Sequence, residues 1–137
     1  MGMACVGSGR KVFSIDNFSE RDRYQDWLYK NHPQFDRIPW AGETASRFVQ
    51  TLGLQRYVKL VNGDSWNSSL VPGPVDMVWI DAGHTYDAVL ADIRAWKGRA
   101  TKILCGHDYD IPDVARAVQE VLPGVRSEGR IWVCEKR

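Results

Sequence analysis

A chain of 137 residues suits one domain around one core, and its 44% apolar and 26% charged content is ordinary for a soluble globular protein. A formal net charge of +1 supplies no broad basic surface, so neither nucleic acid nor an acidic membrane is expected as a partner. No apolar run approaches the roughly 20 residues that span a bilayer, and residues 1–11 lack the charged-then-apolar layout of a signal peptide.

No internal repeat or low-complexity tract interrupts the chain. Residues 11–16 form a short apolar run ending in Asp16 and read as a buried strand. Ser19 can cap a helix over residues 19–30, with Tyr24, Trp27 and Leu28 on one face, until Asn31-His32-Pro33 stops it. Residues 31–40 read as a loop, and a helix over 42–52 carries Ala45, Phe48, Val49 and Leu52 at helical spacing before Gly53 ends it. A strand over 57–61 leads into Asn62-Gly63-Asp64-Ser65, and Pro72-Gly73-Pro74 then punctuates the chain.

The strongest strand signal covers residues 75–81. A helix over 85–96 follows, with Val89, Leu90, Ile93 and Trp96 on its buried stripe, and then a buried strand over 101–105. Pro112 sits where a helix begins; Val114, Ala117, Val118, Val121 and Leu122 form its apolar face, and Pro123-Gly124 ends it. Residues 130–135 read as a last strand, alternating around Ile131 and Val133. Continuous apolar strands alternating with amphipathic helices imply an α/β domain over 1–137: a mostly parallel, Rossmann-like sheet with helices on both faces, and residues 1–10 as a loose terminus.

Cys5, Cys105 and Cys134 are odd in number, far apart and form no CxxC pair, which reads as reduced thiols in a cytoplasmic protein. Of the six tryptophans, Trp40 and Trp66 fall outside the core segments and serve either as loop packing or as walls of a ligand pocket.

Ligands of a parallel sheet bind beyond the carboxyl ends of its strands, and the polar residues gather there. Asp16 ends the first strand, Asp64 follows the second, Asp81 ends the third, and His107-Asp108 end the fourth. Any one of these acids could simply cap the next helix; four strand ends in a row are harder to account for that way.

The run Ile80-Asp81-Ala82-Gly83-His84-Thr85-Tyr86, with Asp92-Ile93 and Trp96 downstream and then Gly106-His107-Asp108-Tyr109, resembles the strand-four and strand-five signatures of the class I S-adenosylmethionine-dependent methyltransferases. The likeness is to a branch with sugar and macrolide O-methyltransferases, some of them metal-dependent. Ser14-Ile15-Asp16 and Gly63-Asp64-Ser65 are similar to its strand-two and strand-three ends, so the resemblance runs over about residues 11–133.

The resemblance implies that Asp16 bonds the ribose hydroxyls of S-adenosylmethionine, which a carboxylate can do by accepting from both. It implies that Asp64, with Ser65 beside it, holds the adenine. Asp81 and Asp108 match the family's metal-binding acids, a set suited to Mg²⁺, with His107 as a third ligand or a pocket wall. His84 matches the general base, since imidazole titrates near neutral pH.

The family's first strand and its glycine-rich loop have no counterpart in this reading. Only ten residues precede Lys11, and Val6-Gly7-Ser8-Gly9 runs straight into it, whereas a parallel crossover needs a dozen or more residues. The chain is therefore expected to bind the cofactor weakly on its own, and to self-associate as a two-fold dimer that covers the strands left without a neighbour. Three functions follow: metal-dependent O-methyl transfer to a small hydroxylated acceptor, a truncated and non-catalytic binding module of the same fold, or a metal-dependent α/β hydrolase using the same rim acids.

Overall fold

The computed structural model describes residues 8–17 and 41–136, with side chains from residue 45 in the second stretch. The helix read over 19–30, the loop with Trp40, and Cys5 lie outside the described residues. The chain divides into two compact units, Met1–Asp64 and Ser65–Arg137.

In the first unit, strand β1 (Val12–Asp16) pairs in parallel with β2 (Val58–Asn62), from Val12 opposite Val58 to Asp16 opposite Asn62. Helix α1 (Ala41–Thr51) lies between them in sequence. Gly53 closes it with φ 66°, a left-handed turn that costs glycine nothing. The chain returns through Leu54, which is buried and donates its N–H to Val49 at 2.9 Å. The apolar face of α1 differs from expectation: Phe48 and Leu52 are 65% and 41% exposed, while Ala45, Ser46 and Val49 turn inward. At about 100° per residue Phe48 and Leu52 sit on one flank of the stripe and Ser46 on the other. The helix is thus rotated toward Ser46.

The second unit holds a four-stranded sheet in the order β3-β4-β6-β5, built from β3 (Val75–Ile80), β4 (Ala100–Gly106), β5 (Arg126–Glu128) and β6 (Ile131–Glu135). β3 and β4 run parallel, and β6 returns antiparallel to β4 and β5. β5 is an addition to the elements read from the sequence, and the last strand starts one residue later than expected. Helix α2 (Tyr86–Trp96) starts where the Thr85 hydroxyl accepts from the Ala88 N–H, with Asp87 in the first turn and Arg94 in the last, as the helix dipole favours. Helix α3 (Pro112–Val121) starts on Pro112, whose missing N–H costs nothing there.

The core of this unit is the stripe predicted for α2 and α3 closing on β4 and β6. Ile93, Leu104, Ala117 and Val118 are fully buried, and Trp132 nearly so; an aliphatic side chain of this kind contributes about 2 kcal/mol on burial. Cys105 sits among them, donates to the Val78 carbonyl at 3.3 Å, and is pushed up to about 11 by burial. Cys105 and Cys134 are both free. No described helix is long and apolar enough to cross a membrane.

Two details of this core carry strain. Gly106 ends β4 where a Cβ would lie 2.4 Å from the Ile80 carbonyl oxygen and 2.6 Å from the Trp132 ring. Asp92, on the inner side of α2, is 2% exposed, and neither carboxylate oxygen meets a hydrogen-bond partner. Burial raises its pKa, and the Ser65 hydroxyl pulls the other way.

Gly106→Ala should destabilise the fold by about 2–3 kcal/mol, because backbone and a packed indole must both move; urea unfolding measures it, and a loss under 0.5 kcal/mol would contradict the close approach. Asp92 sets a pH dependence of defined sign. Below 3.8, its ordinary value, the acid is neutral folded or unfolded. As pH rises past that point the unfolded chain ionises first and stability is lost until the folded group ionises too. Asp92→Asn should therefore match the parent at pH 3 and exceed it by on the order of 1 kcal/mol at pH 7. Parallel stability curves for the two proteins would rule this out.

Candidate active site

Parallel pairing of β3 with β4 brings the carboxyl ends of both strands to one rim, with Ile80 opposite Gly106. The ladder extends one step further, the His107 N–H donating to the Ile80 carbonyl at 3.1 Å. Asp81 follows β3 at once, and His107-Asp108 follow β4, so the three side chains converge. They offer one ligand atom each, all within 4.8 Å of one another. His84 joins them from the turn before α2, its Nε2 at 2.7 Å from Asp108 Oδ2. These four residues line a small open hollow together with Ile80, Val89, Val114 and Trp132.

Asp108 organises the cluster. Its backbone has φ 59°, the left-handed region that aspartate tolerates better than most residues. The turn is closed by the Ile111 N–H on the Asp108 carbonyl at 2.9 Å. The Asp108 side chain is only 9% exposed, yet both oxygens are engaged: Oδ2 by His84, Oδ1 by His107 Nδ1 at 3.1 Å and by the Arg130 guanidinium. Asp81 is more open, 4.0 Å from His107 Nδ1, with the Trp79 indole N–H 3.4 Å from its Oδ2. Trp79 also stacks on His107, ring centroids 6.4 Å apart, which limits the imidazole's rotation.

Two oxygen-bearing acids and one imidazole within this span are a donor set that Mg²⁺ or Mn²⁺ accepts, with water completing the shell. The residues present therefore fit a divalent cation.

The remaining candidates stand at other strand ends. Asp16 closes β1, its carbonyl accepting from the Gly63 N–H at 3.1 Å, and Asp64 lies two residues beyond its register partner Asn62. The two acids thus end adjacent parallel strands, and both are exposed. Ser65, in the second unit, is held by its carbonyl, which accepts the Trp96 indole N–H at 2.7 Å. Two strand-end carboxylates side by side suit hydroxyl and amino groups as hydrogen-bond donors.

Sequence reasoning missed Arg130 and Asp110. Arg130 reaches Asp108 through Nη2 and Asp110 through Nε at 3.0 Å. Its guanidinium holds the Asp110 carboxyl below the usual range, chiefly by the hydrogen bond between them. No local motif announces a contact that spans 22 residues.

Parallel strands alternating with helices, with acids and histidines at their carboxyl ends, define a Rossmann-like α/β protein. A family model described as a methyltransferase domain matches residues 1–109, and the chain belongs to this family, the class I S-adenosylmethionine-dependent methyltransferases. Among solved structures it is similar to apo CalS11, a TDP-rhamnose 3'-O-methyltransferase of calicheamicin biosynthesis, at 18% identity and TM-score 0.56, covering 98% of this chain and 65% of that one. It is similar to the O-methyltransferase NovP at 14% identity and TM-score 0.63, covering 98% of this chain and 63% of that one. A candidate rRNA methylase from Clostridium thermocellum gives 12% identity and TM-score 0.62 over 93% of this chain and 73% of that one. The chain thus spans slightly less than two thirds of the first two, and at these identities the likeness is one of fold. No curated protein matches the sequence.

Removing Asp108 should be costly in one form and mild in another. Asp108→Ala leaves Arg130, His84 and His107 without their shared anion and should destabilise the fold by about 2 kcal/mol, less than for a fully buried pair because the partners are solvated. Asp108→Asn keeps acceptor oxygen and left-handed tolerance and should lose less than half as much. Equal midpoints for both variants in chemical denaturation would contradict this role.

Proposed function

We propose that this domain serves O-methyl transfer from S-adenosylmethionine to a hydroxylated small molecule, with a divalent cation held by Asp81, Asp108 and His107 and with His84 as general base. The observation that carries the reading is the convergence of three ligand atoms within 4.8 Å, with the His84 imidazole 2.7 Å from one of the two acids. Family membership supports the methyl donor. The two O-methyltransferases of similar fold favour a hydroxyl acceptor over other nucleophiles.

When bound, the cofactor supplies an electrophilic methyl group on a sulfonium sulfur, and the cation supplies positive charge that orients and acidifies an acceptor hydroxyl. By the family resemblance Asp16 would accept from the ribose hydroxyls, and Asp64, with Ser65 next in sequence, would take the adenine. His84, with Nε2 2.7 Å from Asp108 Oδ2, would offer a ring nitrogen as the general base. That nitrogen would take the proton of the acceptor hydroxyl. The methyl group would pass from the sulfonium sulfur, which would keep the bonding pair, to the acceptor oxygen, giving a methyl ether and S-adenosylhomocysteine. Val89, Val114 and Trp132 give the hollow apolar lining beside the cluster. Alignment of the two reactants supplies the larger share of such a rate enhancement.

Mn²⁺ or Mg²⁺ should raise the melting temperature of the parent protein and leave that of Asp81→Ala unchanged. His84→Ala should keep the metal-induced shift but lower methyl transfer from labelled S-adenosylmethionine by about 10²–10⁴-fold. A parent protein indifferent to both ions would defeat the metal centre, and undiminished transfer by the His84 variant would defeat the assignment of the base.

A further inference from the structure

Arg130 reaches the site by strand register, not by chance of side-chain length. β6 pairs antiparallel with β4, with Cys105 opposite Val133 and Gly106 opposite Trp132. Continued two residues past the ladder, that register sets Arg130 opposite Asp108. The Tyr109 N–H donates to the Arg130 carbonyl at 3.0 Å and fixes the backbone there. Gly129, with φ 57°, makes the turn from β5 that delivers it. The guanidinium then lies between Asp110 and Asp108, on the same Asp108 oxygen that His107 Nδ1 approaches at 3.1 Å.

The charges explain why a cation is built in. Asp81, Asp108 and Asp110 gather within one loop cluster, and Arg130 is the arginine that answers two of them. A divalent ion on Asp81, His107 and Asp108 would draw on a carboxylate already neutralised by a group that does not lose its proton. The two cations compete for one anion.

We infer that Arg130 is a resident counter-cation of the metal centre: it neutralises Asp108 when no ion is bound, and the ion must displace or share it, so that Arg130 sets the affinity of the site. This rests on the metal centre proposed above. A unit positive charge about 5 Å from a divalent ion weakens its binding roughly tenfold even at the dielectric of water. Asp110 gives the displaced guanidinium a second anchor, so that it can stay at the rim when the ion is bound.

Calorimetric titration of the whole chain with Mn²⁺ tests this. Arg130→Gln and Arg130→Met, either of which serves if the other fails to fold, should bind Mn²⁺ about tenfold more tightly than the parent. Arg130→Lys, which keeps the charge, should stay near the parent value, and the gain should shrink as potassium chloride is raised. Unchanged or weaker binding in the uncharged variants, with the parent still binding, would overturn the role of Arg130 and leave the metal centre standing. No Mn²⁺ binding by any of the proteins, parent included, would overturn the metal centre and this inference with it.

Discussion

The hydrogen bond from the His107 N–H to the Ile80 carbonyl continues the β3–β4 ladder one residue beyond the sheet, and the site hangs from it. Without that step His107 and Asp108 would leave β4 at an angle set by the loop. With it, they leave alongside Asp81. The step is possible because position 106 is glycine, since any side chain would collide with the same carbonyl and with Trp132. A parallel pair is evenly spaced along its length, so its two ends arrive together. The polar residues that follow are thereby gathered without any of them contributing to the core.

Around this arrangement the cluster resolves its charges in layers. Asp108 is nearly enclosed and takes three partners, whereas Asp81 is about half exposed and is touched only lightly by Trp79 and His107. The buried acid is the fixed element and the open acid is the available one. That division suits the metal centre proposed above, because one of its acids is held rigidly while the other can adjust.

Most elements in residues 58–136 were legible because the apolar runs are continuous where strands are buried and periodic where helices are half-buried. The convergence of Asp81, His84, His107 and Asp108 followed from their positions after neighbouring strands, once the strands were taken as parallel. β5 was not legible: Arg126-Ser127-Glu128 is three exposed polar residues, and only pairing with β6 makes it a strand. The rotation of α1 was not legible because an amphipathic stripe defines a sector without saying which edge of it faces the core. Arg130 was invisible as a site residue because its position depends on an antiparallel register, which the alternation of Ile131 and Val133 does not reveal. The role of Trp96 was half legible: its burial follows from helical spacing, but its bond to the Ser65 carbonyl does not.

Helix α2 has one property that none of its contacts shows alone. It is capped by Thr85, the residue after His84, and ends on Trp96, whose indole N–H donates to the Ser65 carbonyl. Eleven residues of α-helix make a strut about 16 Å long, and such a strut does not bend at ambient energies without a proline or bulge. Its two ends are therefore one mechanical object. If His84 shifts, the short turn over 81–85 must flex, or the displacement travels along the helix axis and tugs on Ser65. The His84 turn and the Ser65 backbone are linked in this way by stiffness, through the length of α2.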